Sequence, residues 1–183
     1  IPARHGGFES FAEKLSQYLV ERGWQVTVYC QESTGSRVTE DYWHGVRLVH
    51  VPVRREDAIG TVIFDWKSTR LAAREKGTIL TLGYNTAVFS ALYRLRRRTN
   101  LINMDGLEWQ RKKWSAAQKA WLWLNERCAG CFANHVIADH PSIELHLMSR
   151  MPIRKITMIP YGADRVESAD PALLAPYGLT PER

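Results

Sequence analysis

The stretch Asn103-Met104-Asp105-Gly106-Leu107-Glu108-Trp109-Gln110-Arg111-Lys112-Lys113-Trp114 packs two carboxylates, two tryptophans and three cations into twelve residues, directly after an apolar run. Such a set can do acid–base work through Asp105 and Glu108, or hold a hydroxyl-rich ligand between carboxylates and indole faces. A spacing of three residues does not set the distance between the two carboxylates, and a loop carboxylate after a strand is also a common helix cap. Trp109 and Trp114 could serve as sugar platforms or simply bury their large rings. A second cluster, Ile1-Pro2-Ala3-Arg4-His5-Gly6-Gly7-Phe8-Glu9, carries paired glycines that let a backbone pass close to a phosphate or sugar before a helix begins. Arg4 and His5 put cations beside those amides. Glu9 falls in the first helical turn, where it either supports the helix dipole or contacts a ligand hydroxyl. Two such loops suggest a nucleotide-sugar or phosphorylated ligand.

The elements that must position these clusters can be read from periodicity. Phe8, Phe11, Leu15, Tyr18 and Leu19 follow helical spacing and Gly23 stands where a helix stops, so residues 9–22 are expected to be helical. Trp24 to Cys30 alternates like a strand. Further strands are expected at 46–53, 78–82, 100–104, 136–138 and 156–159, and helices at 62–76, 86–97, about 113–133 and 142–150. Strands alternating with helices imply an α/β fold, a Rossmann-like, mainly parallel sheet with helices on both faces. Asp105 and Glu108 would then stand at a carboxyl strand end, where open α/β sheets bind ligands. A glycine loop that opens a helix in such folds normally follows a strand, so a first strand is expected ahead of Ile1. Residues 1–164 read as one domain. Residues 165–183, polar and carrying Pro171, Pro176 and Pro181, read as a connector towards a further domain.

On the helix from about 112, Trp114, Ala117, Trp121, Leu124, Cys128 and Phe132 fall within one face and are expected to be core. Trp123 lies opposite, beside Lys112, Lys119 and Arg127, and this grouping of one aromatic with three cations suggests contact with an anionic membrane surface. A solvated basic face is the competing reading. Cys128, Cys131 and His135 lack a fourth ligand, so packing is expected and no metal site. Asp139 or Ser142 is expected to cap the helix after 136–138.

The 183 residues, 45% apolar and 24% charged, have the composition of an ordinary globular protein, and no apolar stretch is long enough to span a membrane. Three cysteines without an export signal point to a reducing compartment, the cytoplasm. A net charge of +6 favours an anionic partner: nucleic acid, a membrane surface or a phosphorylated small molecule. Cations gather at Arg94, Arg96, Arg97 and Arg98 and again at Arg111, Lys112 and Lys113, yet no nucleic-acid motif and no Gly-x-Gly-x-x-Gly loop occurs.

The glycine cluster Ile1 to Glu9, the run Asp105-Gly106-Leu107-Glu108-Trp109 with Arg111 and Lys113-Trp114, and Ile159-Pro160-Tyr161-Gly162-Ala163-Asp164 together resemble one family. The chain resembles the amino-terminal domain of retaining GT-B glycosyltransferases, in the branch of bacterial rhamnosyltransferases that build capsule and exopolysaccharide. The resemblance implies transfer of a deoxyhexose, rhamnose, from a nucleotide sugar such as dTDP-rhamnose to a lipid-linked glycan, at the inner face of the plasma membrane and without cofactor or metal. It places Gly6 and Gly7, with Arg4 and His5, at the donor diphosphate. Asp105 takes a strand-end position where many relatives carry histidine, with Glu108 as its catalytic partner. Glu9, Tyr84, Asn85, Trp109, Arg111 and Lys113 fall on the acceptor side. It also implies a second, donor-gripping domain carrying a Glu-x7-Glu element, without which no complete donor site exists. A GT-B sugar epimerase or a nicotinamide-dependent oxidoreductase is the alternative enzyme, and a nucleic-acid binding module is the alternative of another class.

Overall fold

The computed structural model describes residues 1–3 and 6–162; Arg4, His5 and everything from Ala163 onward, the expected connector included, lie outside the described residues. Helix α1 (Gly7–Glu21) is followed by β1 (Thr27–Glu32), β2 (Thr39–Trp43), β3 (Val46–Pro52), α2 (Ala58–Ala72), β4 (Thr78–Leu82), a 3-10 turn at Ala87–Phe89 and α3 (Ser90–Leu95). Then come β5 (Thr99–Met104), α4 (Ala116–Phe132), β6 (His135–Ala138), α5 (Pro141–Met148) and β7 (Ile156–Met158). The mixed α/β, Rossmann-like expectation holds: β4, β5, β6 and β7 form a four-stranded, fully parallel sheet in that order, flanked by helices.

The amino-terminal strands form a separate three-stranded sheet of order β1-β3-β2, parallel between β1 and β3 and antiparallel between β2 and β3. The hairpin strand β2 was not expected from periodicity. Its turn is His44-Gly45, both at positive φ (46° and 80°), the backbone that a two-residue hairpin needs. Both sheets rest on the same helices, because Tyr29 of β1 and Ile79 of β4 pack on one cluster of Ala72, Ala73 and Tyr93. Among the described residues, β1 and β4 each pair along one edge only, and neither contains a buried residue.

The main core lies behind the parallel sheet, where Ile102, Met104, Val136 and Ala138 meet Tyr84, Ala129, Ala133 and Leu147. Local chemistry sets the helix boundaries. Asp57 caps α2 by accepting from the Gly60 amide at 2.8 Å, and Gly60 is demanded there because a Cβ would meet the Arg55 carbonyl oxygen at 2.1 Å. Ser115 and Gln118 form a reciprocal capping box, so α4 starts at Ala116, not near 113. The cap of α5 is the His140 side chain, whose Nδ1 accepts from the Ser142 amide at 3.1 Å, in place of the expected Asp139 or Ser142.

The expected core stripe on α4 is corrected. Its buried positions are Leu122, Asn125, Glu126 and Ala129, while Ala117, Trp121 and Leu124 are exposed and Cys128 and Phe132 are half-buried. Polar pairing turns the helix: Asn125 accepts from the Val88 amide at 2.9 Å, and Glu126 accepts from Trp109 Nε1 at 2.8 Å. An unpaired carboxylate or amide in either interior position would cost more than exposing one apolar ring, so those two residues choose the face.

Candidate functional site

Four loops and one helix start meet at the carboxyl edge of the parallel sheet. Leu82 ends β4, and Gly83, at φ 82°, donates its amide to the Asn103 carbonyl at 2.9 Å. Met104 ends β5 and leads into Asp105-Gly106; Ala138 ends β6 and leads into Asp139-His140; Met158 ends β7 and leads to Tyr161. Helix α1 joins them, with Phe8 lying 3.5 Å from where a Gly83 side chain would begin and Phe11 meeting Tyr161 edge-to-face at 5.5 Å.

The glycine pair opens α1 as its spacing requires. Gly6 stands at φ 83° as the N-cap, and among the described residues no side chain caps the helix and no atom beyond the chain neighbours lies within 4 Å of where a Cβ of either glycine would be. Uncapped first-turn amides with open space above them can accept an anion. Further ahead, the Ala3 amide donates to the Glu13 carboxylate. Glu9 is exposed in the first turn.

Asp105 is half-buried, with Oδ1 accepting from the Gly106 amide at 2.8 Å. It acts across the edge on Asp139, whose carboxyl is raised above its ordinary pKa, first by burial and further by the Asp105 charge. Tyr161 is raised as well, by burial and then by the Asp139 and Asp105 charges, and its hydroxyl accepts from Asn103 Nδ2 at 3.0 Å. Among the described residues, the buried Asn103 Oδ1 has no partner. Two carboxylates, an amide and a phenol therefore share one small region that is rich in acceptors, an arrangement suited to hydroxyl groups. Asn103, Asp139 and Tyr161 were not among the expected site residues. Their signal was positional, since Asp105 and Asp139 each lie within a residue or two of the end of an apolar run in a parallel sheet.

Other expected residues serve the loop itself. Glu108 is only 5% exposed and is surrounded by Arg111 Nε at 2.9 Å, Trp114 Nε1 at 3.3 Å and Lys113 Nζ at 4.0 Å. Its amide donates to the Tyr84 hydroxyl at 2.9 Å, and that hydroxyl donates to the Gly106 carbonyl at 3.2 Å. Tyr84 is fully buried, so it pins the Asp105–Glu108 turn and has no free hydroxyl for an acceptor. Trp109 donates to Glu126, which also meets His146 Nε2 at 3.1 Å and Arg150 Nε at 3.8 Å, so the indole is an anchor to α4 and α5. The Asn85 carbonyl accepts from Trp121 Nε1 at 2.9 Å, while its side chain stays exposed.

The expected membrane group is spread over one flank of α4: the Arg127 guanidinium stacks 4.9 Å from the Trp123 ring, Lys119 is half-buried and Lys112 is exposed ahead of the helix. The arginine cluster lines a different hollow of about 360 Å³ beside Thr99 and Asn134, at the amino ends of the strands. Arg98 donates there to the Ala73 and Arg74 carbonyls.

Residues 1–164 match a family described as a domain of unknown function (DUF1972), and the chain belongs to that family. No curated protein matches it.

Proposed function

From that membership we propose that the chain is the acceptor-side domain of a GT-B glycosyltransferase that moves a deoxyhexose, rhamnose, from a nucleotide sugar such as dTDP-rhamnose to a lipid-linked glycan. The family occurs in glycosyltransferase-like proteins, which supports the class. The observation that carries the reading is the pairing, at one sheet edge, of an uncapped glycine-opened helix with the Asp105–Asp139–Tyr161 group. The first suits a diphosphate and the second suits sugar hydroxyls.

In this reading the chain contributes position and charge. Amides of the first turn of α1 face the departing diphosphate, while Asp105 and Asp139 orient acceptor hydroxyls. Glu108 is a positioning residue, because its contacts with Arg111, Lys113 and Trp114 fold the loop that presents Asp105. A second domain is needed to grip the nucleotide. The test is transfer of radiolabelled rhamnose from its nucleotide to a lipid-linked acceptor by this domain joined to a nucleotide-gripping one. Transfer that falls at least tenfold with Asp105→Asn at unchanged melting temperature supports the reading; nicotinamide-dependent oxidation or epimerisation with no transfer contradicts it.

A further inference from the structure

Exposed apolar residues form a band across two helices, away from the strand-end site. Ile59, Ile63 and Trp66 recur at helical spacing on the outward side of α2, with Ile59 55% and Trp66 40% exposed. The Trp66 ring lies 5.1 Å from Phe89, and these residues with Val62 line a hollow of about 440 Å³. On the other side of the Ala87–Phe89 turn, Trp121 and Leu124 of α4 continue the band, Trp121 being held to Asn85. These are the apolar residues of α4 that its polar pairing turns outward.

Charge identifies the partner. Lys67 and Arg70 line the same hollow and Arg74 follows just beyond α2. The two helices contain one carboxylate each, Asp65 and Glu126, and both are turned inward: Asp65 accepts from Thr86 Oγ1 at 2.7 Å, and Glu126 is fully buried. An apolar, tryptophan-bearing face with Lys67 and Arg70 at its rim and no outward carboxylate within α2 or α4 matches an anionic lipid surface, the exposed Glu56, Asp57 and Glu75 standing beyond the ends of α2. A second copy of this chain, also at +6, would set cation against cation.

We propose that the α2–α4 band, with Trp66 at its centre and Lys67 and Arg70 at its rim, seats the domain on an anionic membrane surface. The Trp123 flank is a different face, since residues two apart on a helix point about 160° from each other. The seat fits the lipid-linked acceptor proposed above, yet vesicle binding is read without any turnover, so either proposal can fail alone.

The test is co-sedimentation of the chain with phosphatidylcholine vesicles, with and without phosphatidylglycerol, at low salt. Binding is expected only with phosphatidylglycerol and should weaken with added salt. Lys67→Gln with Arg70→Gln should lower it about thirtyfold, two cations' share. Ile59→Ser with Ile63→Ser, which spares the Trp66–Phe89 contact, should release the protein with its melting temperature retained. Trp123→Ala should bind as wild type. No wild-type binding, full binding by the folded serine variant, loss of binding through Trp123→Ala alone, or light scattering that shows the band consumed in a dimer would each overturn the proposal.

Discussion

Glu126 is a carboxylate with no exposure to solvent, and its partners come from three segments: Trp109 in the site loop and His146 and Arg150 on or just beyond α5. Removing one side of such a buried group leaves the others unpaired, which costs about 3–5 kcal/mol. Glu126→Ala should lose stability on that scale by denaturant titration, far more than a substitution on the exposed face. Asp65 is governed by burial, which raises its carboxyl pKa despite the Thr86 hydrogen bond. A carboxyl whose folded pKa stands above the unfolded value, about 3.9, binds its proton more tightly when folded. Its contribution is complete below that value and is lost as pH rises through the folded pKa. Asp65→Asn should therefore melt higher than wild type at neutral pH, with the gain closing under acid conditions; a constant difference across pH would remove burial as the cause. Asp105 and Glu108 looked alike in sequence as two carboxylates in one loop, and only the fold separates them. Asp105→Asn should spare stability and reduce transfer, whereas Glu108→Gln should lower melting temperature, because Arg111, Lys113 and Trp114 lose their anion together.

At the scale of elements, the parallel strands were legible as short apolar runs bounded by polar residues, as Leu101-Ile102 in β5 and Val136-Ile137-Ala138 in β6 show. The hairpin strand Thr39–Trp43 was not, since four of its five residues are exposed and its signal rests on the positive-φ pair His44-Gly45. The face of α4 misled for a different reason: a count of apolar residues gives no weight to Asn125 and Glu126, whose partners lie far away in sequence. Its start was set by a capping box that the sequence does display, in Ser115 and Gln118. Ser115→Ala should cost about 1 kcal/mol in thermal or denaturant melting. No loss there would mean that packing against the Ala87–Phe89 turn alone holds the helix start.

Across the whole molecule, the candidate site gathers residues that are 155 positions apart, from Gly6 to Tyr161, and it forms only because four strands run parallel and end together. That explains why half of it escaped the sequence: Asn103 and Tyr161 acquire meaning from each other across 58 residues, and no local pattern links them. The basic hollow at Arg94, Arg97 and Arg98 lies at the opposite end of the same strands. The most direct test is therefore to join the isotope-labelled chain to a nucleotide-gripping domain, titrate it with dTDP and then with a saccharide acceptor, and follow the backbone amide resonances of the labelled part. The shifting amides should cluster at Gly6 and Gly7 with dTDP and at Gly83, Gly106 and Asp139 with the acceptor. Shifts confined to Arg94, Arg97, Arg98 and Asn134, with the carboxyl edge silent, would contradict it.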